Sequence, residues 1–198
     1  STITQVQALS IDFHFLIEQK AKSNSQLFMN FNGTAGIWRR ECIEDAGGWH
    51  TATLVEDLDL SYRAQMKGWK CVFLPDIVVD AELPAQMNGA KRQQFRWAKG
   101  SIQCAIKLLS DIGLKRNVAI EAKIQAFIQL TRHIVYPLVL IQFLTLPILL
   151  AAQVNLYVVS VLPALTIATY LAMGPGAYLV VIRGMYHESW KSKAKLLP

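Results

Sequence analysis

The sequence predicts an α/β globular segment followed by a hairpin of transmembrane helices, and three observations predict it. From His133 to Ile182 there is no Asp, Glu, Lys or Arg, a run long enough for two spans of roughly 20 residues each. Basic residues bracket that run, with Lys115, Arg116, Lys123 and Arg132 before it and Arg183, Lys191, Lys193 and Lys195 after it. This is the positive-inside signature of loops that stay on the cytosolic side. Ahead of the run, Ser1 to Asn117 mixes helical periodicity with short β-branched stretches and charges of both signs, which is the texture of a globular domain.

Composition narrows the partners. Charged residues make up only 17% of the 198 residues, low for a soluble domain. The net charge of +6 sits around the apolar run and forms no basic–aromatic module, so a lipid bilayer is the expected partner and nucleic acid is not. Cys42, Cys71 and Cys104 are odd in number and form no C-x-x-C, the usage of reduced thiols facing a cytosolic compartment. The chain opens without a short apolar leader and closes just after a basic stretch, so it reads as a piece of a longer protein.

The elements follow in order. Val6, Leu9, Phe13, Leu16 and Ile17 recur at helical spacing, predicting an amphipathic helix over Thr4–Lys20. A polar turn, Lys22–Gln26, leads to a short buried strand, Leu27–Phe31, and then to the small-residue loop Asn32-Gly33-Thr34-Ala35-Gly36. Arg39–Ala46 is a short helix stopped by Gly47-Gly48, with Trp49 after it. Glu56–Lys67 is a helix closed by Gly68, and Cys71–Leu74 and Ile77–Val79 read as strands around Pro75-Asp76. Ala85–Leu109 is a long helix with Arg92, Arg96, Lys99, Gln103 and Lys107 on one side and Ala98, Ile102, Ala105, Ile106 and Leu109 on the other. Beside membrane spans, that pattern predicts a helix lying at the lipid interface. The spans themselves are Ile134–Ala152 and Leu156–Ile182, the second interrupted by Pro163 and Gly174-Pro175-Gly176. The domain reading is 1–110 globular, 111–132 juxtamembrane and 133–198 a hairpin that enters from the cytosol and returns to it.

Two segments carry chemistry. Glu56, Asp57 and Asp59 gather at a helix start, where a carboxylate raised in pKa by burial would serve as a general base. The same residues fit a helix-capping role: Thr53-x-x-Glu56 has the spelling of a capping box, acids in a first turn suit the helix dipole, and Asp59 forms an i, i+4 pair with Arg63. Gln93, Arg96 and Trp97 share one helix face, joining a planar guanidinium fork for phosphate, an amide, and an indole face for sugar C–H groups. A Trp anchored at the headgroup level explains that face equally well.

Four motifs taken in order change the balance: Asn30-Phe31-Asn32-Gly33-Thr34-Ala35-Gly36, Gly47-Gly48-Trp49, Glu56-Asp57-Leu58-Asp59-Leu60, and Gln93-Gln94-Phe95-Arg96-Trp97-Ala98-Lys99-Gly100. Together they resemble the membrane-integrated family-2 glycosyltransferases of the cellulose synthase superfamily, most closely the cellulose-synthase-like glucomannan and mannan synthases. The resemblance covers essentially the whole chain. It implies the later half of a GT-A-type catalytic domain followed by interfacial helices and a transmembrane hairpin. It implies an inverting, processive transferase that moves hexose from a nucleoside-diphosphate sugar (GDP-mannose, GDP-glucose or UDP-glucose) to a β-linked glucan or mannan. Single-sugar transfer to a lipid, or a non-catalytic membrane subunit, stand as alternatives.

The resemblance makes Asp57 the base, with Glu56 beside it. It gives Gln93 and Arg96 to the donor pyrophosphate and Trp97 to the acceptor sugar, and it sets Asn32, Gly33 and Thr34 between donor and acceptor. Val55 stands where the family has Thr, which implies altered local capping. A divalent cation, Mg²⁺ or Mn²⁺, is implied with its ligands in a preceding half; no Asp-x-Asp lies upstream of Asp57, and no metal ligand is expected in this chain. The implied location is an integral membrane protein with its catalytic part cytosolic, in a bacterial inner membrane or a eukaryotic Golgi or plasma membrane.

Overall fold

The computed structural model describes residues 2–33 and 35–153, with 161 and 164. Thr34 and nearly all of the second expected span, Leu156–Ile182, lie outside the described residues. The chain divides into two compact units, Ser1–His133 and Ile134–Pro198.

In the first unit, helix α1 (Thr2–Phe13) runs through a π-helical turn, His14–Gln19, into α2 (Lys20–Asn24). Helices α3 (Arg40–Asp45), α4 (Glu56–Met66), α5 (Met87–Leu114) and α6 (Ile120–Thr131) follow. The core lies where α4, α5 and α6 meet. Each contributes side chains at i, i+4 and i+8: Leu58, Tyr62 and Met66 from α4; Cys104, Leu108 and Ile112 from α5; Ala122, Ala126 and Leu130 from α6. Such rows are the ridges by which helices interdigitate, and the small Cys104, Ala122 and Ala126 permit close approach. Phe28 stacks on Tyr62 with ring centroids 4.9 Å apart and planes 6° from parallel. A second cluster, Cys42, Ala46, Leu60 and Ala64, fastens α3 to the other side of α4.

The expected strands are not formed among the described residues. Leu27–Phe31 has no regular secondary structure, and α4 takes the polar groups of Met29 and the amide of Phe31. The Gln65 side chain accepts from the Met29 amide at 2.8 Å and donates to the Met29 carbonyl at 2.7 Å, while Ser61 Oγ accepts from the Phe31 amide at 2.9 Å. Gln65 and Ser61 lie one turn apart and so reproduce the spacing of a ladder. Cys71–Leu74 and Ile77–Val79 likewise lack regular secondary structure and flank a turn closed by Ile77 N–H to the Leu74 carbonyl at 3.2 Å. Val72, Ile77 and Val78 stay largely exposed there.

The faces of α5 also differ from expectation. Its buried side is Ser101, Cys104, Ala105, Leu108 and Ile112, whereas Ile106 is exposed and Lys107 turns inward. The central stretch of α5 is therefore a core helix, packed between α4 and α6.

A 3₁₀ turn, Arg132–Ile134, precedes α7 (Val135–Ala151), which contains Pro147. Leu138, Leu140, Ile141, Phe143 and Leu144 are all exposed along it. Among the described residues one helical run, Ile120–Leu149, is long and apolar enough to cross a membrane.

Candidate active site

The site is built where α5 crosses the first turn of α4. A Cβ placed on Gly100 would lie 2.6 Å from Val55 Cγ2 and 2.8 Å from Cγ1, so the absent side chain is what allows the two helices to touch. Val55 is buried and is the N-cap of α4, with no side-chain cap hydrogen bond. The capping box spelled by Thr53 and Glu56 is therefore not made; Thr53 is buried instead. The apolar Val fits because its work here is packing against Gly100.

From that contact the acids diverge. Glu56 is exposed, Asp57 half-buried and Asp59 wholly buried. Asp57 Oδ1 accepts the amide of Leu58 at 2.8 Å, which fixes the side chain at the helix mouth. Burial pushes the Asp57 carboxyl above the ordinary carboxylate range; the Leu58 amide opposes this, the neighbouring Glu56 adds to it, and the Arg96 guanidinium pulls the other way. The rise implies that loss of solvent outweighs the helix dipole and the amide.

Asp59 makes the pair with Arg63 that the i, i+4 spacing predicts, and makes it inside the core. Its carboxylate meets Arg63 Nε at 2.8 Å, as the spacing suggested, but also Lys107 Nζ of α5 at 2.8 Å, and it is fully enclosed. Arg63 reaches on to donate to the carbonyls of Ala46 and, at 2.7 Å, of Gly48. Gly47 and Gly48 hold φ of +87° and +75°, values that favour glycine. They turn the chain so that Trp49 meets Trp38 edge-on, at 6.1 Å between centroids.

The small-residue loop closes the other side. Gly33 has φ +79°, and a Cβ there would stand 3.0 Å from Asp57 Oδ2, so this backbone borders the free oxygen of the carboxylate. Asn32 is held by Asn30 Nδ2 at 2.7 Å and lies 3.3 Å from His14 Nε2. His14 in turn pairs with Glu18 at 2.8 Å. Burial would raise the Glu18 carboxyl, but the His14 hydrogen bond and the Lys22 charge outweigh it and hold it at about 2.

On α5, Gln93 and Trp97 are half-buried and Arg96 is exposed. Trp97 packs against the edge of the α4–α5–α6 core. Arg96 precedes Gly100 by one turn and acts electrostatically on Asp57. Asp57 and Gly33 are thus brought together with the exposed Glu56 beside them, while Gln93, Arg96 and Trp97 lie on α5, Arg96 within electrostatic reach of Asp57. Gly33→Ala should cost about 1–2 kcal/mol, the penalty of a left-handed conformation, and should reduce activity further by crowding Asp57. Thermal melting and initial-rate assays on one preparation check both effects.

Sequence reasoning assigned no role to Gly100, Lys107 or His50. Gly100 was visible inside a quoted motif; nothing in local spacing marks the other two.

Among the described residues no cluster of His, Cys, Asp and Glu is placed to hold a metal ion. Asp59 is spent on Arg63 and Lys107, leaving Asp57 and the exposed Glu56, too few oxygens for a hard divalent cation. These residues do not by themselves fit Mg²⁺ or Mn²⁺. Cysteine chemistry finds no support either: all three thiols are free, and burial pushes Cys104 up to about 12 and Cys71 to about 11.

The structure thus sets the half-buried Asp57 carboxylate beside the Gly33 turn at the mouth of α4. The family model of the glycosyl transferase family group 2 matches residues 2–181, and the chain belongs to that family. It is 41% identical over 141 residues to probable glucomannan 4-beta-mannosyltransferase 7 of Oryza sativa subsp. japonica, covering 70% of this chain and 24% of the relative. Glucomannan 4-beta-mannosyltransferase 1 of the same species is 41% identical over 140 residues, covering 71% of this chain and 25% of that protein. Probable glucomannan 4-beta-mannosyltransferase 10 of Arabidopsis thaliana is 43% identical over 122 residues, covering 62% and 22%. The chain thus spans about a quarter of the length of these relatives. No solved structure matches it.

Proposed function

We propose that this chain is the acceptor-side part of a membrane hexosyltransferase that inverts the donor's anomeric centre and extends a β-linked glucan or mannan processively. The observation that carries the reading is Asp57, a carboxylate lifted by burial, bordered by the Gly33 turn and within electrostatic reach of Arg96. In the proposed step an acceptor hydroxyl gives its proton to Asp57 Oδ2 as its oxygen bonds to the sugar C1. The C1–O bond to the diphosphate breaks on the opposite face, and the nucleoside diphosphate leaves with the bonding pair. One base and one displacement give inversion.

Gln93 and Arg96 serve the diphosphate, since a guanidinium fork matches its oxygens. Trp97 offers what remains of its indole face to the acceptor sugar, with Asn32, Gly33 and Thr34 between the two substrates. Nucleotide and Mg²⁺ or Mn²⁺ ligands belong to the rest of the protein, for which the greater length of the relatives leaves room. The functional division is catalytic over 1–110, interfacial over 111–132, and transmembrane over 133–198 with a basic cytosolic end. The exposed apolar face of α6 (Ile120, Ile124, Phe127 and Ile128) supports the membrane placement. The relatives' names favour a mannosyl donor, GDP-mannose, ahead of GDP-glucose and UDP-glucose.

The test is the full-length enzyme in membrane vesicles with each radiolabelled donor. We expect one nucleoside diphosphate released per hexose and a ladder of products. A single glycolipid would replace processive extension by one-sugar transfer. No nucleotide release with any of the three donors would overturn the transferase reading.

A further inference from the structure

We propose that Asp59, Arg63, Lys107 and His50 form a positioning brace that fixes the register of α5 and of the 47–50 loop on α4, and thereby sets where Arg96 stands relative to Asp57. The inference rests on the transferase reading only for its kinetic consequence.

Asp59 is completely enclosed, yet it carries a charge that only its own neighbours can compensate. A buried carboxylate is tolerated when it is paired and hydrogen-bonded. Arg63 satisfies one oxygen from the same helix, with Nε 2.8 Å from Oδ2. Lys107 pairs with the other from a different helix, its Nζ 2.8 Å from Oδ1 in an ion pair without hydrogen-bond geometry, so charge alone compensates that oxygen. Only one axial setting of α5 places Lys107 there. Sliding α5 by a turn would leave the buried carboxylate half-compensated, so the pair selects a register in the way buried polar groups do in helix bundles.

The loop is tied to the same point. His50 Nε2 lies 3.1 Å from the Gly47 carbonyl and therefore carries the ring proton, which leaves Nδ1 to accept from Lys107 Nζ at 3.0 Å. Arg63 holds the Ala46 and Gly48 carbonyls on the other side. One ammonium and one guanidinium thus bind the loop bearing Trp49 to both helices.

The consequence for the site follows from helix geometry. Lys107 lies eleven residues after Arg96, three turns and about 16 Å along the axis, which returns it to the same face of α5. Asp57 and Asp59 are separated by a single residue on α4. Pinning Lys107 on Asp59 therefore fixes the helix on which Arg96 approaches Asp57, and the Gly100–Val55 contact fixes how closely. Asp59 and Lys107 touch no reacting atom in this scheme; they are positioning residues.

The test compares full-length wild type, Lys107→Met and Lys107→Arg in proteoliposomes, by kcat, donor KM, and the pH profile of kcat/KM. The charged or titratable groups within electrostatic reach of Asp57 are Glu56 on its own helix and Arg96 and Cys104 on α5. Of these, Arg96 depresses the Asp57 carboxyl. Lys107→Met should lower kcat by tenfold or more and move the acidic limb to higher pH as Arg96 withdraws. Lys107→Arg should recover most of both. A folded Lys107→Met enzyme with unchanged kcat and an unmoved limb would overturn the brace.

If Lys107→Met does not accumulate, the double variant Asp59→Asn/Lys107→Met removes the buried charge together with its partner and is judged by the same two outcomes. If the wild type transfers no sugar, the transferase reading fails by itself. The brace is then judged by hydrogen–deuterium exchange over 46–55 in the same proteins, which should quicken in Lys107→Met; unchanged exchange would sink it.

Discussion

Asp57→Asn in the full-length enzyme should lower hexose transfer by about 10²–10⁴-fold, the usual worth of a positioned general base, while the protein still folds and inserts. Asparagine keeps an Oδ1 able to accept the Leu58 amide, so the helix mouth retains its local bond; what it lacks is a lone pair basic enough to take the hydroxyl proton. The wild-type pH profile should carry the same signature. A base works deprotonated, and burial lifts this carboxyl above its ordinary value, so the acidic limb should lie above the ordinary carboxylate range and vanish in the variant.

Stability should move in the opposite sense. A carboxyl whose folded pKa exceeds its unfolded value favours the fold below the unfolded pKa, and that contribution is lost as pH rises through the folded value. At neutral pH the ionised Asp57 is therefore a cost, and the Asn variant should melt at or above wild type. A melting point several degrees lower, accompanying the lost activity, would show a structural residue and not a base.

Gly100→Ala should be the most damaging change among residues that never meet substrate. The new methyl carbon would lie 2.6 Å from Val55 Cγ2, and both groups belong to helices, so neither can turn aside. Overpacking of this kind costs about 1–3 kcal/mol. Displacing α5 also carries Arg96 from Asp57, and a misplacement of about 1 Å is worth roughly 10²-fold in rate. Val55→Ala removes both atoms of closest approach, so the double variant Val55→Ala/Gly100→Ala should regain stability and much of the rate. Parallel melting curves and turnover numbers for the three variants measure the coupling. Simple additivity of the two changes would mean that the contact does not set the site.

The helices were largely legible because their signals are local. Gly47, Gly48 and Gly68 sit at left-handed turns where their spacing had placed them, and Glu56–Met66 matches its expected span to within a residue. What failed was decided at long range. Leu27–Phe31 has the composition of a strand, but composition cannot say that Gln65 and Ser61 will occupy the backbone groups a second strand would need. Periodicity groups Lys107 with Arg92, Arg96, Lys99 and Gln103 on one side of α5, since its reason for turning inward, Asp59, lies on another helix.

The chemistry-bearing residues divide along the same line. Asp57 and the Gln93, Arg96 and Trp97 set stood out as residue types at informative spacing. Gly100 could not be valued until Val55 was seen against it.

The stretch beyond Gly68 matters to anyone producing this segment. Ile77, Val78 and Val79 are exposed, β-branched or apolar, and consecutive, joined to no ladder among the described residues. An exposed run of β-branched residues without a partner strand invites pairing between molecules. The segment is best expressed with its natural flanking sequence, or with a charge set into this stretch to act as a gatekeeper against self-association.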